Sequence, residues 1–234
     1  MPTRYRQLDD ASILATLDRL QQRIAHRFPG SGLSQVAAEL GTLGRESQSL
    51  AAWLRRPLWT VRLLGLLIIA LMVTVVVLIA VKVRLPAGVG GMADFLQATE
   101  AAINELIFIG AAIWFFVTLE ERIKRRRALN SLHRLRSVAH IVDMHQLTKD
   151  PDSLRLPVPE HGAAGDRVMS EAELGRYLDY CSELLSLTAK VAALHVQQFN
   201  DAVVLGAVDE IETLTSSLSS KIWQKITLLG KPTA

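Results

Sequence analysis

The sequence predicts an all-α protein: a two-helix transmembrane hairpin whose flanks form a cytoplasmic antiparallel helical bundle or coiled coil. Three observations lead there. Hydrophobic residues make up 50% of the 234 residues, with a mean hydropathy of +0.24, and the apolar excess sits in the middle of the chain. The flanks are rich in Leu, Ala, Arg, Glu and Gln and poor in Tyr, Phe and Pro, a composition that favours helices. In both flanks the apolar residues recur at the spacing of a helix that buries one face.

Residues 1–57 form the first flank. From Asp10 to about Arg27, the residues Ile13, Leu14, Leu17, Leu20 and Ile24 keep helical spacing, and Phe28-Pro29-Gly30 then breaks the chain. A second helix is expected from near Ser31 or Ser34. Its seam is Leu33, Val36, Leu40, Leu43, Leu50 and Leu54, weakened by Gly41 and Gly44. The start of the chain carries Asp9, Asp10 and Asp18 without an apolar stretch, so neither a cleaved signal peptide nor a transit peptide is expected.

Residues 58–119 form the hairpin, with spans at about 61–82 and 99–119 and an outer loop at 83–98. Leu63 to Val81 is an uncharged run of 19 residues. At about 1.5 Å per residue it nearly crosses a hydrocarbon core of about 30 Å. Trp59 is the expected interfacial anchor at one end, and Lys82 and Arg84 can snorkel at the other. The second uncharged run, Leu106 to Leu119, has only 14 residues, so the span must extend back to Thr99. That extension brings Glu100, Asn104 and Glu105 to the membrane boundary, where ionisable groups need a partner or access to the surface. An antiparallel register supplies partners: Lys82 and Arg84 lie at the end of Glu100 and Glu105, and Arg62 lies opposite Glu120 and Glu121.

Orientation follows from the basic residues near the spans. Arg55, Arg56 and Arg62 precede the first, and Arg122, Lys124, Arg125, Arg126 and Arg127 follow the second, against only Lys82 and Arg84 in the link. By the positive-inside rule both termini are cytoplasmic.

Residues 120–150 are expected to continue the second span as an unbroken helical stalk, since nothing before Pro151 stops a helix. Residues 151–169 read as a loop rich in Pro and Gly. Residues 170–230 hold the C-terminal helices. Ser170 with Glu173 is a capping-box pattern, and Leu174, Leu178, Cys181, Leu185, Thr188, Ala192 and His195 follow at heptad spacing. Asn200 and Asp201 mark a break. Val204, Val208, Ile211, Thr215, Leu218, Ile222 and Leu229 then form a last amphipathic face.

Several constellations hold side chains capable of chemistry. At 100° per residue, His133, Arg136, His140 and Asp143 fall in a stripe about 80° wide beside the apolar face of Leu132, Leu135, Ala139 and Val142. His140 and Asp143, at i and i+3, are the candidate metal ligands, and a neighbouring helix would have to complete their site. Tyr177, Asp179, Tyr180, Cys181 and Glu183 are placed to hydrogen-bond to that stripe if the helices pack. Cys181 lacks a basic neighbour in sequence and reads as a small hydrophobe; as the single cysteine it makes no internal disulfide. Glu105, Asn104 and Glu100 are the candidate pore or polar membrane residues, and Arg125, Arg126 and Arg127 the candidates for anionic lipid headgroups.

Nucleotide-binding loops, nucleophile elbows, metalloprotease pairs and kinase motifs are absent, so neither an enzymatic activity nor a cofactor is expected. The formal charge is only +3 and its basic residues cluster beside the apolar segments, which argues against nucleic acid. The expected partners are the lipid bilayer, further copies of the chain and a cytoplasmic protein.

The stretches HRLRSVAHIVDMHQLTKDP (His133 to Pro151) and YLDYCSELLSLTAKVAALHVQQFNDAVVLGAVDEIETL (Tyr177 to Leu214) resemble an uncharacterised family of bacterial two-helix membrane proteins. The resemblance implies a bacterial source and with it the inner membrane. It carries over no functional residues.

Overall fold

A computed structural model of the chain describes residues 8–82, 92–149 and 169–229, and every regular element among them is an α-helix. In order these are α1 (Asp10–Arg27), α2 (Gly32–Leu54), α3 (Trp59–Lys82), α4 (Met92–Leu147), α5 (Glu171–Gln198) and α6 (Ala202–Leu229). The chain divides into two compact units. One joins Met1–Arg55 to Arg127–Ala234, and the other is Arg56–Arg126. The expected Pro- and Gly-rich loop at 151–169 lies almost wholly outside the described residues, as does the part of the outer link before Met92.

In the larger unit the helix ends are set by local chemistry. Asp9 caps α1, its carboxylate accepting from the Ala11 N–H at 3.2 Å and from the Ser12 hydroxyl at 2.6 Å. Gly30 takes a φ of 70° in the tight turn to α2, a left-handed conformation that glycine adopts without strain. Ser31 then caps α2 by accepting from the Ser34 N–H at 3.2 Å. Ser170 and Glu173 make both halves of a capping box at the start of α5. Asp201 caps α6 through the N–H groups of Val203 and Val204.

Cross-helix pairs fix the directions. Asp10 accepts from Gln48 and Asp18 pairs with Arg45, so α1 and α2 are antiparallel. Arg23 pairs with Glu183 while Gln197 donates to the Leu8 carbonyl, so α5 also runs against α1. Ser47 meets Ser131 at 3.4 Å and Arg134 meets Glu46 at 2.6 Å, setting the C-terminal part of α4 beside α2. Arg136 to Glu210 and Lys225 to the Gln146 carbonyl, both 3.0 Å, lay α6 parallel to α4.

All five elements feed one apolar cluster, which includes Leu17, Leu20, Leu40, Leu135, Leu178, Leu185 and Ile211. Each such side chain contributes about 1.5–3 kcal/mol by leaving water. The seven heptad positions of α5 and the seven apolar positions of α6 are all buried. Gly44 departs from the expectation that it weakens the α2 seam. A Cβ there would stand 2.9 Å from Leu14 Cδ2 and 3.1 Å from Leu17 Cδ2, so the missing side chain is what lets α1 approach α2.

Among the described residues the smaller unit has no comparable core. Its helices are long and apolar enough to cross a membrane: over their most apolar stretches the mean hydropathy is 2.8 and 1.6, and only 6% of each stretch is buried. A core helix of a soluble protein would be mostly covered. Here Leu63, Leu67, Leu106, Phe108 and Trp114 are all more than half exposed. Gly65 of α3 faces Phe116 of α4, and a Cβ at Gly65 would stand 3.2 Å from Phe116 Cβ. The link ends sooner than the sequence reading placed it, because α4 starts at Met92 and includes residues 92–98. The segment MADFLQATE has no Pro or Gly and several strong helix formers, whereas Pro86, Gly88, Gly90 and Gly91 all precede it. From there α4 runs unbroken to Leu147.

Candidate functional site

In the smaller unit the best-organised polar group is Glu120, next to the last residue of the expected second span. Its carboxylate takes 2.7 Å from Arg62 Nε, 2.8 Å from Lys124 Nζ and 3.3 Å from the Leu58 N–H. Burial alone would raise its pKa, but the hydrogen bonds from Arg62, Lys124 and Leu58 outweigh it and hold the group at about 2. Arg62 thus meets one of its two expected partners, while Glu121 stays exposed. With donors from both helices, the carboxylate ties α3 to α4.

Glu100, Asn104 and Glu105 all lie exposed on α4. Their expected partners, the Lys82 side chain and Arg84, fall outside the described residues. Of the headgroup candidates, Arg126 is exposed and Arg125 half-buried. Arg127 stacks in the larger unit with its guanidinium carbon 4.3 Å from the Trp53 ring centre, a cation–π contact.

The stalk stripe is split by its neighbours. His133 and His140 face outward, Arg136 goes to Glu210 of α6, and the Asp143 carboxylate accepts from Gln146 Nε2 at 2.6 Å. Among the described residues no three groups able to ligate a metal converge, so His140 and Asp143 have no third ligand there. His145 lies against α2, where a Cβ on Gly32 would come within 2.3 Å of its ring. The polar residues of α5 turn away from the stalk stripe. Glu183 pairs with Arg23 of α1, Asp179 with Arg176 of its own helix, and Tyr177 and Tyr180 set their rings edge-on to Phe28. The reason is register: with α5 antiparallel to α1, these positions of α5 come level with the C-terminal turns of α1.

That arrangement builds the most distinctive surface of the larger unit, a groove of about 670 Å³ lined by Thr16, Arg19, Arg23, His26 and Arg27 of α1 and by Tyr180 of α5. The Arg23 guanidinium carbon sits 5.7 Å from the Tyr180 ring centre and its tip reaches Glu183. Arg19 donates through Nε to its own helix at the Ala15 carbonyl, 3.1 Å away. Arg27 also borders a second cavity, of about 480 Å³, with Ser31, His145, Thr148 and Tyr177. This groove is not among the sites expected from sequence. The signal for it was present as arginines at 19, 23 and 27, one helical turn apart beside the buried face of α1.

Two buried groups complete the picture. Cys181 is fully buried and its thiol is pushed up to about 12 by burial, with Lys225 pulling weakly the other way. Its burial within the apolar cluster gives it the surroundings of a packing group. His195 is also fully buried; its Nδ1 lies 3.1 Å from the Ala192 carbonyl and its Nε2 has no partner among the described residues.

The chain matches no protein-family model, no curated protein and no solved structure.

Proposed function

We propose that this is a non-enzymatic protein of a bacterial inner membrane, a helical scaffold or partner-binding module held to the bilayer by its hairpin. One contrast carries the reading. The unit of α3 and the start of α4 leaves its apolar side chains largely uncovered, while the larger unit buries most of its own in a shared core. The first requires an apolar solvent and the second folds in water. The pairs Arg23–Glu183, Arg45–Asp18, Arg62–Glu120, Arg134–Glu46 and Arg136–Glu210 all join one helix to another. The basic residues that flank the hairpin on both sides support cytoplasmic termini.

The reading predicts that reporters fused at either terminus are cytoplasmic, and that photo-cross-linkers on the exposed surface of the larger unit capture a defined neighbour or a second copy in intact cells. Periplasmic termini, or a surface that cross-links to nothing at any position, would overturn it.

A second reading rests on Glu105, which stays exposed beside the uncovered Leu106, Ile107 and Phe108. A carboxylate so placed calls for a polar partner, which a ring of hairpins lining an ion pathway would supply. Purified protein in liposomes would then pass ions, and Glu105→Ala would change the flux. No flux, or flux indifferent to Glu105, removes this reading.

A further inference from the structure

We propose that the groove between α1 and α5 docks an acidic helical segment of a protein partner, with Arg19, Arg23 and Arg27 as its ladder of contacts. The inference deepens the partner-binding reading above and rests on it.

Spacing comes first. Residues four apart on a helix rise by about 6 Å, so the three guanidiniums spread over about 12 Å along α1. Carboxylates at i, i+4 and i+8 on a partner helix rise by the same step. Glu183 already shows how one rung is filled, because a carboxylate from a neighbouring helix engages Arg23 above the Tyr180 ring. The outer rungs are open: neither Arg19 nor Arg27 pairs with a carboxylate among the described residues, and His26 lies between them on the same groove.

Three local explanations for these charges fall short. The helix dipole favours cations in the last turn, which accounts for His26 and Arg27 but not for Arg19 and Arg23 further up. The positive-inside rule counts residues within about 15–20 positions of a span, and α1 lies well outside that window. Ion pairing within the unit neutralises only the middle rung.

The form of the groove selects an extended ligand. Its donors are strung along one helix and do not converge on a point, so a small anion would touch one rung and gain little. A single nucleic-acid strand would want aromatic platforms for its bases, and the groove's one aromatic side chain, Tyr180, is buried.

The test uses the full chain in uncharged detergent micelles and two labelled Ala-rich peptides of identical composition. One carries Glu at i, i+4 and i+8, and the other carries the same Glu residues spread around the helix. The ladder peptide is expected to bind the more tightly, to weaken as salt is raised, and to lose about ten-fold or more in affinity with R19E/R27E, while R19K/R27K retains an intermediate affinity. Equal binding of the two peptides, or ladder binding unchanged by R19E/R27E, overturns the proposal. So does displacement of the ladder peptide by inorganic phosphate at constant ionic strength, or tighter binding of an oligonucleotide. Both arginines are exposed, so the variant should fold; its circular dichroism and melting check this, with R19Q/R27Q as the substitute. If cells still yield a cross-linked partner whose capture is untouched by R19E/R27E, this inference alone fails and the scaffold reading stands.

Discussion

Glu120 accepts from Arg62 across the hairpin at 2.7 Å while the same carboxylate accepts from Lys124 one turn along its own helix at 2.8 Å. One acid therefore clamps α3 to α4, with its side chain only 11% exposed against 53% for Arg62. Replacing the acid strands two cations and the Leu58 N–H, whereas replacing Arg62 leaves Lys124 to satisfy the carboxylate. Glu120→Gln is thus expected to destabilise the hairpin by about 1–3 kcal/mol and Arg62→Gln by less. Thermal midpoints in detergent micelles would show the order, with exposed Glu121→Gln as the control within about 0.5 kcal/mol. Because the folded carboxyl titrates at about 2, its contribution is full above the ordinary carboxylate pKa of 4.5 and is lost as pH falls through about 2. A Glu121→Gln effect as large as that of Glu120→Gln would refute the clamp.

Cys181 provides a readout of bundle opening. With its thiol pushed up to about 12, the thiolate fraction at pH 7 in the folded state is about one in 10⁵. Maleimide labelling of the native protein should be far slower than of the chemically unfolded chain, and should accelerate in variants that loosen the core. Fast labelling of the native protein would mean that the α5 seam is open.

The glycines separate packing from propensity. Gly175 and Gly206 have nothing within 4 Å of an added Cβ, so Gly175→Ala and Gly206→Ala should each stabilise by about 0.5–1 kcal/mol through helix propensity. Gly44→Ala should lose that gain, because its Cβ presses on Leu14 and Leu17, and Gly44→Leu should cost about 1–3 kcal/mol by overpacking. Urea midpoints of the four variants decide; a stabilising Gly44→Leu would show that α1 does not lie where the structure has it.

How much of this was legible in the sequence depends on the range of the interaction. Caps and seams are local, and Ser31, Ser170, Asp201 and the α5 and α6 apolar positions could be read from spacing alone. The Arg62–Glu120 register was legible because a hairpin leaves few ways to align its ends. What depends on which helix neighbours which was not. The stalk stripe looked like a site because its residues share a face of one helix, but α6 takes Arg136 and Gln146 takes Asp143. The arginines of α1 gained meaning only when α5 was laid antiparallel beside them. Gly44 read as a weak point because propensity is local, while the close approach that requires it is tertiary.

His195 ties bundle stability to pH. It occupies a heptad position of α5 with no exposed surface; Nδ1 has the Ala192 carbonyl at 3.1 Å, which selects the tautomer protonated there and leaves Nε2 a bare acceptor in the core. Burial lowers its pKa below 6.5, and the carbonyls of Ala192 and Val191 offset this only in part. Above 6.5 the ring is neutral in both folded and unfolded chains, so its full contribution is present. As pH falls below 6.5 the unfolded chain takes a proton that the folded core refuses. Stability then drops, by at most about 1.4 kcal/mol per pH unit, until the folded pKa is reached. His195→Leu removes both the unpaired nitrogen and the titration, so it should flatten this part of the profile and leave stability near neutral pH unchanged or improved. Urea unfolding in micelles at about pH 7.5 and about pH 5.5 makes the comparison. A His195→Leu profile identical to that of the wild type would show that His195 does not carry this pH dependence.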